Sequence, residues 1–249
     1  MSAIKVFMDS EAASRFAANL FVRTARESVA KHGRFAVALS GGSTPRRTYE
    51  LLASEDYREE LPWDAVHLFW GDERCVPLTS NESNAGEAMR LWLDTARIPE
   101  SHIHPIDGTL KPELAAEKYE KEILQFFGDA TPVFDLIFLG LGENGHTASL
   151  FPETPVLNER MRFVREVYVA EQEMYRVTLT ASAINQAAVV AFLVFGGKKA
   201  DVVREVLEGS SQPRHLPAQL INPTGGQLLW LIDESAASKI KESEYESIR

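Results

Sequence analysis

The chain has 249 residues, 45% hydrophobic and 25% charged, with a formal net charge of −10. That length and balance suit a globular protein able to bury a core without disulfides, and the single cysteine, Cys75, excludes an intramolecular bridge. An acidic chain is poorly matched to nucleic-acid backbones, which are met with clustered Lys and Arg, yet a few local cations can still hold a small anion at close range.

The first sixteen residues carry no uninterrupted apolar core and soon carry acids, so no signal peptide is expected and the cytoplasm is the default compartment. The spacing of Phe16, Leu20, Ala25 and Val29 predicts a helix over 10–31, stopped at His32-Gly33. An apolar run over 35–39 reads as a strand and ends in Ser40-Gly41-Gly42-Ser43-Thr44-Pro45, where Pro45 suits the first turn of a helix reaching about Ala53. A second strand is expected over 66–70, followed by Gly71-Asp72-Glu73-Arg74. A third covers 134–139, before a turn running from Gly140 to His146. Arg176 opens a short strand over 177–180. Residues 188–195 form a buried strand that enters Gly196-Gly197-Lys198-Lys199 and a helix to Leu207, and 227–233 is a last strand before a C-terminal helix. The longest apolar run, 187–197, is too short to span a bilayer. With no repeat, low-complexity tract or long linker, the chain is expected to be one domain over 1–249.

Apolar strands alternating with helices predict an α/β fold with a largely parallel sheet covered on both faces. Ligands of such sheets bind outside the carboxyl ends of the strands, which is where the distinctive polar segments fall. The 40–45 segment offers close backbone approach at its glycines and free N–H groups at a helix N-terminus, both suited to phosphate. It is not a Walker motif, because the Gly-Lys-Ser/Thr ending is missing, and the sequence after Gly140-Leu141-Gly142-Glu143-Asn144-Gly145 does not suit a dinucleotide-binding helix. Arg176 and Lys199 stand at the same end of other strands and are candidate phosphate contacts, whereas Lys198 is expected in solvent.

Of six histidines, His32 and His215 read as surface residues, and His67 as a strand residue that packs or snorkels. His102 and His104 form a His-x-His pair with no Cys or third His nearby, so no metal site is expected. His146 follows a glycine-rich turn at the end of a buried strand, where a neutral imidazole can take a proton from water. Asp72 or Glu73 is a candidate to orient catalytic groups, and Arg74 to touch substrate.

Together these motifs resemble the 6-phosphogluconolactonase family, within the larger glucosamine-6-phosphate deaminase/isomerase superfamily. The resemblance runs through Leu39-Ser40-Gly41-Gly42-Ser43, Gly71-Asp72-Glu73-Arg74 with Val76-Pro77, the 140–152 segment, Arg176-Val177-Thr178-Leu179-Thr180, Gly196-Gly197-Lys198-Lys199-Ala200 and Leu216-Pro217-Ala218. It implies a Rossmann-like three-layer α/β/α sandwich that hydrolyses 6-phospho-D-glucono-1,5-lactone to 6-phosphogluconate in the pentose phosphate pathway without cofactor or metal. By position, His146 matches the family's catalytic histidine; Ser40, Gly41, Gly42, Ser43, Arg74, Gly145, Arg176 and Lys199 fall on its substrate- and phosphate-binding segments. The family usually has Asp-Gly-His where this chain has Asn144-Gly145-His146. An amide can orient an imidazole but adds no charge, which leaves Asn144, Asp72 and Glu73 as candidates to tune the base.

Two other functions compete. A glucosamine-6-phosphate deaminase or isomerase typically carries Met-Asp-Glu-Tyr where this chain has Gly71-Asp72-Glu73-Arg74, and Ile-Ala-Phe-Asn-Glu-Pro where it has Thr-Ala-Ser-Leu-Phe-Pro. A non-catalytic sugar-phosphate sensor usually adds a DNA-binding segment, for which this chain has neither spare length nor a basic patch. The expected partner is therefore the small-molecule lactone, with no nucleic acid or membrane, and the expected state is a monomer or weak dimer.

Overall fold

The computed structural model describes residues 2–93 and 98–248. Its elements begin with β1 (Ser2–Phe7), α1 (Ser10–His32), β2 (Phe35–Leu39), α2 (Ser43–Ala53), α3 (Glu55–Arg58) and β3 (Val66–Trp70). They continue with β4 (Asp72–Arg74), α4 (Asn84–Ala88), α5 (Pro112–Phe127), β5 (Leu136–Gly140), β6 (Val164–Val169) and β7 (Met174–Leu179). Last come α6 (Ala181–Ile184), β8 (Val189–Val194), α7 (Ala200–Glu208), β9 (Gln227–Asp233), α8 (Glu234–Ala237) and β10 (Glu246–Ile248).

Seven strands form one parallel sheet in the order β10-β1-β9-β8-β5-β2-β3, flanked by helices in the expected α/β arrangement. Its central strands are apolar throughout, as a sheet covered on both faces requires. β2 is buried at every residue, and Phe192 on β8 stacks on Trp230 of β9 at 3.9 Å. α1 begins at Asp9, whose carboxylate accepts the Ala12 N–H at 2.8 Å, and closes at Gly33, whose φ of 83° is left-handed. Its Ala13, Ala17, Leu20, Phe21 and Ala25 face the core, with Phe21 edge-on to Phe35 at 5.1 Å.

After β2 the chain moves outward to β3, and after β5 it moves the opposite way to β8 and β9. β2 and β5 are neighbours, so their carboxyl ends flank the topological switch point where open α/β sheets bind ligands. Two buried tyrosines fix strand ends on this edge. The Tyr49 hydroxyl donates to Ser40 O at 2.7 Å and accepts from Ser40 N at 3.1 Å, while Tyr119 makes the same pair of bonds to Trp70 at 3.0 and 2.8 Å. Each hydroxyl takes up backbone groups where the chain leaves the sheet.

The structure departs from the sequence reading in several places. β7 is not a member of the parallel sheet. It is the middle strand of a separate antiparallel sheet, β4-β7-β6, attached where Gly71 accepts the Leu179 N–H at 2.8 Å and donates to Leu39 O at 2.9 Å. Arg176 thus reaches the switch point from this small sheet and not from the end of a parallel strand. The C-terminal helix is a single turn, α8, followed by strand β10 pairing with β1. Among the described residues no helix is long and apolar enough to cross a membrane.

Candidate active site

At the switch point lies a cleft of about 240 Å³ lined by the loop from Ser40 to Thr44, by Asp72 and Arg74, by Gly140, Leu141, Gly142, His146 and Ala148, and by Asn84, Arg176 and Lys199. Nine of the residues singled out from sequence meet here: Ser40, Gly41, Gly42, Ser43, Asp72, Arg74, His146, Arg176 and Lys199. Asn144 and Gly145 do not line it; they lie behind the imidazole and shape it. Three cations face one carboxylate in this cleft, although the whole chain is acidic.

The phosphate-type loop is built by two glycines with different reasons. Gly42 has a φ of 87°, a conformation that L side chains rarely adopt, and it is the N-cap of α2 with no side-chain capping bond. The first-turn N–H groups of this eleven-residue helix are therefore left to a ligand. At Gly41 the constraint is space, since a Cβ there would fall 1.8 Å from Asn84 Oδ1.

His146 is held from three sides. Asn144 Oδ1 accepts the His146 backbone N–H at 3.2 Å, and the same oxygen lies 2.6 Å from ring Nδ1. An oxygen that accepts the backbone N–H is the atom facing the ring, so Nδ1 carries the proton and Nε2 keeps its lone pair. The ring stacks on Phe151 at 4.0 Å and lies over Gly142, where a Cβ would fall 2.0 Å from Nδ1. Gly145, at φ 78°, turns the backbone beneath it, and its carbonyl accepts the Ala218 N–H at 2.9 Å. Burial pushes the imidazole down to about 4; Asp72 works in the opposite direction, and Arg176, Lys199 and Arg74 add to the depression. The ring is neutral at physiological pH.

Asp72 is buried, and its Oδ2 accepts from Ser149 Oγ at 2.5 Å and sits 3.6 Å from Arg176 Nη1. Glu73, the other acidic candidate, faces away. It accepts from Ser83 Oγ at 2.9 Å and from the N–H groups of Arg74, Asn84 and Ala85 at 2.8 Å each, which anchors the start of α4. Arg74 donates Nη1 to Glu82 O, and Arg176 donates Nη2 to Gln172. Burial weakens proton binding by Arg176 and by Lys199, with Glu143 opposing the effect on Lys199. Around the cleft Ser40 Oγ, Arg74 Nε, Asn84 Oδ1 and Arg176 Nε are buried without a partner. So many unpaired polar atoms at one place mark a site shaped for a polar ligand.

The other histidines group elsewhere. His67 stacks on His102 at 3.9 Å, its Nδ1 lies 3.2 Å from His104 Nε2, and His104 Nδ1 meets Glu122 at 2.7 Å. These rings stack face to face, and no group of three or more His, Cys, Asp or Glu among the described residues is placed to hold a metal ion. His32, exposed as expected, pairs with Asp135 at 2.9 Å; His215 is exposed, and Lys198 faces solvent.

Residues 8–230 match the family of glucosamine-6-phosphate isomerases/6-phosphogluconolactonase. The chain belongs to this family. It is 42% identical over 219 residues to the 6-phosphogluconolactonase of Synechocystis sp., covering 86% of this chain and 88% of that relative. The 6-phosphogluconolactonase of Trypanosoma brucei superposes with a TM-score of 0.85 at 30% identity, covering 97% of this chain and 99% of the other. A monomeric glucosamine-6-phosphate deaminase shares the fold at 22% identity, with a TM-score of 0.81 and coverage of 96% and 100%. Within this family frame, Asn84 and Ser149 are the site residues that sequence reasoning missed. Ser149 lay inside the motif around His146, but Asn84 sits in a polar stretch whose only local signal is Ser83 as a helix N-cap.

Proposed function

We propose that this chain, like the relatives that carry the name, is a 6-phosphogluconolactonase, hydrolysing 6-phospho-D-glucono-1,5-lactone to 6-phosphogluconate in the pentose phosphate pathway. The observation that carries the catalytic assignment is the state of His146: a neutral ring, protonated at Nδ1 toward Asn144, lining a cleft with three cations.

In this reading the 6-phosphate binds at the N-terminus of α2, with Gly41, Gly42 and Ser43 supplying the loop and Arg74, Arg176 and Lys199 the positive charge. That anchor brings the lactone carbonyl, C1, to a water beside His146. Nε2 removes a proton from the water as its oxygen bonds to C1, and the carbonyl becomes a tetrahedral oxyanion stabilised by the cationic field of the cleft. Collapse of the oxyanion re-forms the carbonyl and breaks the bond between C1 and the ring oxygen. The Nε2 proton passes to that oxygen, giving a hydroxyl and the free acid. Asp72 stabilises the transient imidazolium, and Asn144 keeps the ring in its tautomer.

The reading extends to a single catalytic unit over 1–249, of which residues 1, 94–97 and 249 lie outside the described residues, and to a cytoplasmic monomer or weak dimer. A coupled assay with freshly generated lactone, corrected for spontaneous hydrolysis, tests the activity, with glucosamine 6-phosphate run in parallel. Turnover of the lactone alone is expected. Release of ammonia or ketose from glucosamine 6-phosphate, without lactone hydrolysis, would overturn it.

A further inference from the structure

Gly41 carries no positive φ, so its backbone does not require glycine, unlike that of Gly42. What excludes a side chain is Asn84, since a Cβ at 41 would meet Oδ1 at 1.8 Å, Cγ at 2.1 Å and Nδ2 at 2.8 Å. The carboxamide is buried in the floor of the cleft. Its Nδ2 donates to Asp72 O at 2.9 Å, which fixes the orientation of the amide, and Oδ1 is left against the loop without a donor. A buried acceptor without a partner costs stability, so the bond to Asp72 O accounts for only the Nδ2 half of this amide. Asn84 is itself held firmly, because its N–H and that of Ala85 bond to the buried Glu73 carboxylate. One side chain therefore fills the gap between the loop after β2 and the strand that carries Asp72 and Arg74.

We infer that Asn84 is a positioning residue that sets the spacing between the phosphate loop and the Asp72–Arg74 strand, with Gly41 as its size-matched partner. The inference rests on the lactonase reading, in which the loop holds one end of the substrate while His146 attacks the other. A shift of the loop by a fraction of an ångström then moves C1 relative to the water, and misplacement of about 1 Å can cost ~10²-fold in rate.

The test is a double-mutant cycle on Asn84→Ala and Gly41→Ala, measured with fresh lactone for kcat and KM, with inorganic phosphate as competitive inhibitor and thermal midpoint as the control for folding. Gly41→Ala is expected to lose ~10²-fold in kcat/KM, because its methyl collides with the amide. Asn84→Ala is expected to lose ~10-fold in kcat and to bind phosphate more weakly, with a modest drop in thermal midpoint from the lost bond to Asp72 O that leaves the enzyme folded under assay conditions. The double variant, whose new methyl occupies part of the vacated space, is expected to recover ~10-fold relative to Gly41→Ala. Losses that simply multiply would overturn the coupling. Where Gly41→Ala does not fold, recovery of a folded enzyme in the double variant supports the inference. If neither protein folds, Asn84→Ala decides alone, and unaltered phosphate inhibition then overturns it. A wild-type enzyme inert toward the lactone defeats the functional reading instead, and phosphate-induced thermal shifts across the same four proteins still read the Gly41–Asn84 coupling.

Discussion

Arg74 and Arg176 are direct register partners across the antiparallel pair β4–β7, so two guanidiniums emerge on one sheet face beside the cleft. Like charges placed opposite one another are destabilising, and Arg176 is buried as well. Asp72, 3.6 Å from Arg176, answers only part of that charge, and Lys199 adds to it. In the proposed function a phosphate dianion would supply the missing counter-charge, which would make the pair half of an interaction completed by substrate.

Removing one member should therefore weaken substrate binding more than chemistry. Arg176→Met is expected to raise KM by ~10–100-fold, equivalent to about 1.4–2.8 kcal/mol of binding. Inorganic phosphate or 6-phosphogluconate should raise the thermal midpoint of the wild type by mass action, and do so less in the variant. Equal thermal shifts in the two proteins would place the phosphate elsewhere.

As the base of the proposed mechanism, His146 predicts the acid limb of the pH profile. A base must be unprotonated to act, and burial with three nearby cations holds this imidazole at about 4. Activity should persist well below the usual histidine range and fall only as pH approaches about 4. Among the described residues, Asp72 raises proton affinity at the ring. Asp72→Asn is thus expected to move the acid limb lower still, while reducing kcat through loss of imidazolium stabilisation. His146→Ala should remove ~10²–10⁴-fold of the rate with phosphate binding retained. Rate measurements from about pH 4 to 8 on the three proteins check each expectation, and an acid limb that survives in His146→Ala would assign it to another group.

Asn144 can be separated from Asp72 by charge. Its Oδ1 is 2.6 Å from Nδ1, so a carboxylate at 144 would meet the imidazolium proton directly. Asn144→Asp is expected to shift the acid limb upward by ~1–3 pH units. Asn144→Leu removes the acceptor that fixes the tautomer and should lower kcat by ~10–100-fold with little change in KM. An acid limb that stays fixed in the aspartate variant would mean the ring no longer faces residue 144.

The contrast between Gly42 and Asn84 shows what a linear reading can and cannot find. The strands β2, β3, β5, β8 and β9 are mainly apolar runs, and the first four lead into segments that carry glycine, at Gly41-Gly42, Gly71, Gly140 with Gly142, and Gly196-Gly197, so both the strands and the ligand edge are visible in sequence. β4 gains its strand character from pairing with β7 far along the chain, Asp72 opposite Thr178, and its three residues carry no period to detect, whereas β6 pairs with β7 as a short hairpin, Val169 opposite Met174. The pattern of α5 was present in Ala115, Ala116, Tyr119 and Ile123, with Pro112 at its start. Arg176 was found for a reason that proved incomplete: it is at the site because β7 folds back over the sheet edge. Asn84 was missed because its importance lies in a contact with Gly41, forty-three residues away in the chain, and a polar residue after a serine reads as a cap.

The stacked histidines at the β3 edge predict acid sensitivity of the fold. His67 is held at about 4, chiefly by burial and then by His102, His104 and Arg34, while Glu122 bonds the far side of His104. An unfolded chain takes up a proton at this residue near pH 6.5. Between about pH 6.5 and 4 the unfolded state therefore binds more protons, and stability falls as pH falls through that window. His146 contributes in the same direction, so removing His67 should reduce the loss without abolishing it. His67→Phe keeps a ring to stack on His102 but cannot be protonated, and it forfeits the bond to His104. Its thermal midpoint is expected to be slightly lower at pH 7 and to drop less on acidification to about pH 5. A drop as large as in the wild type would show that protonation linked to His67 is not what destabilises the fold in acid.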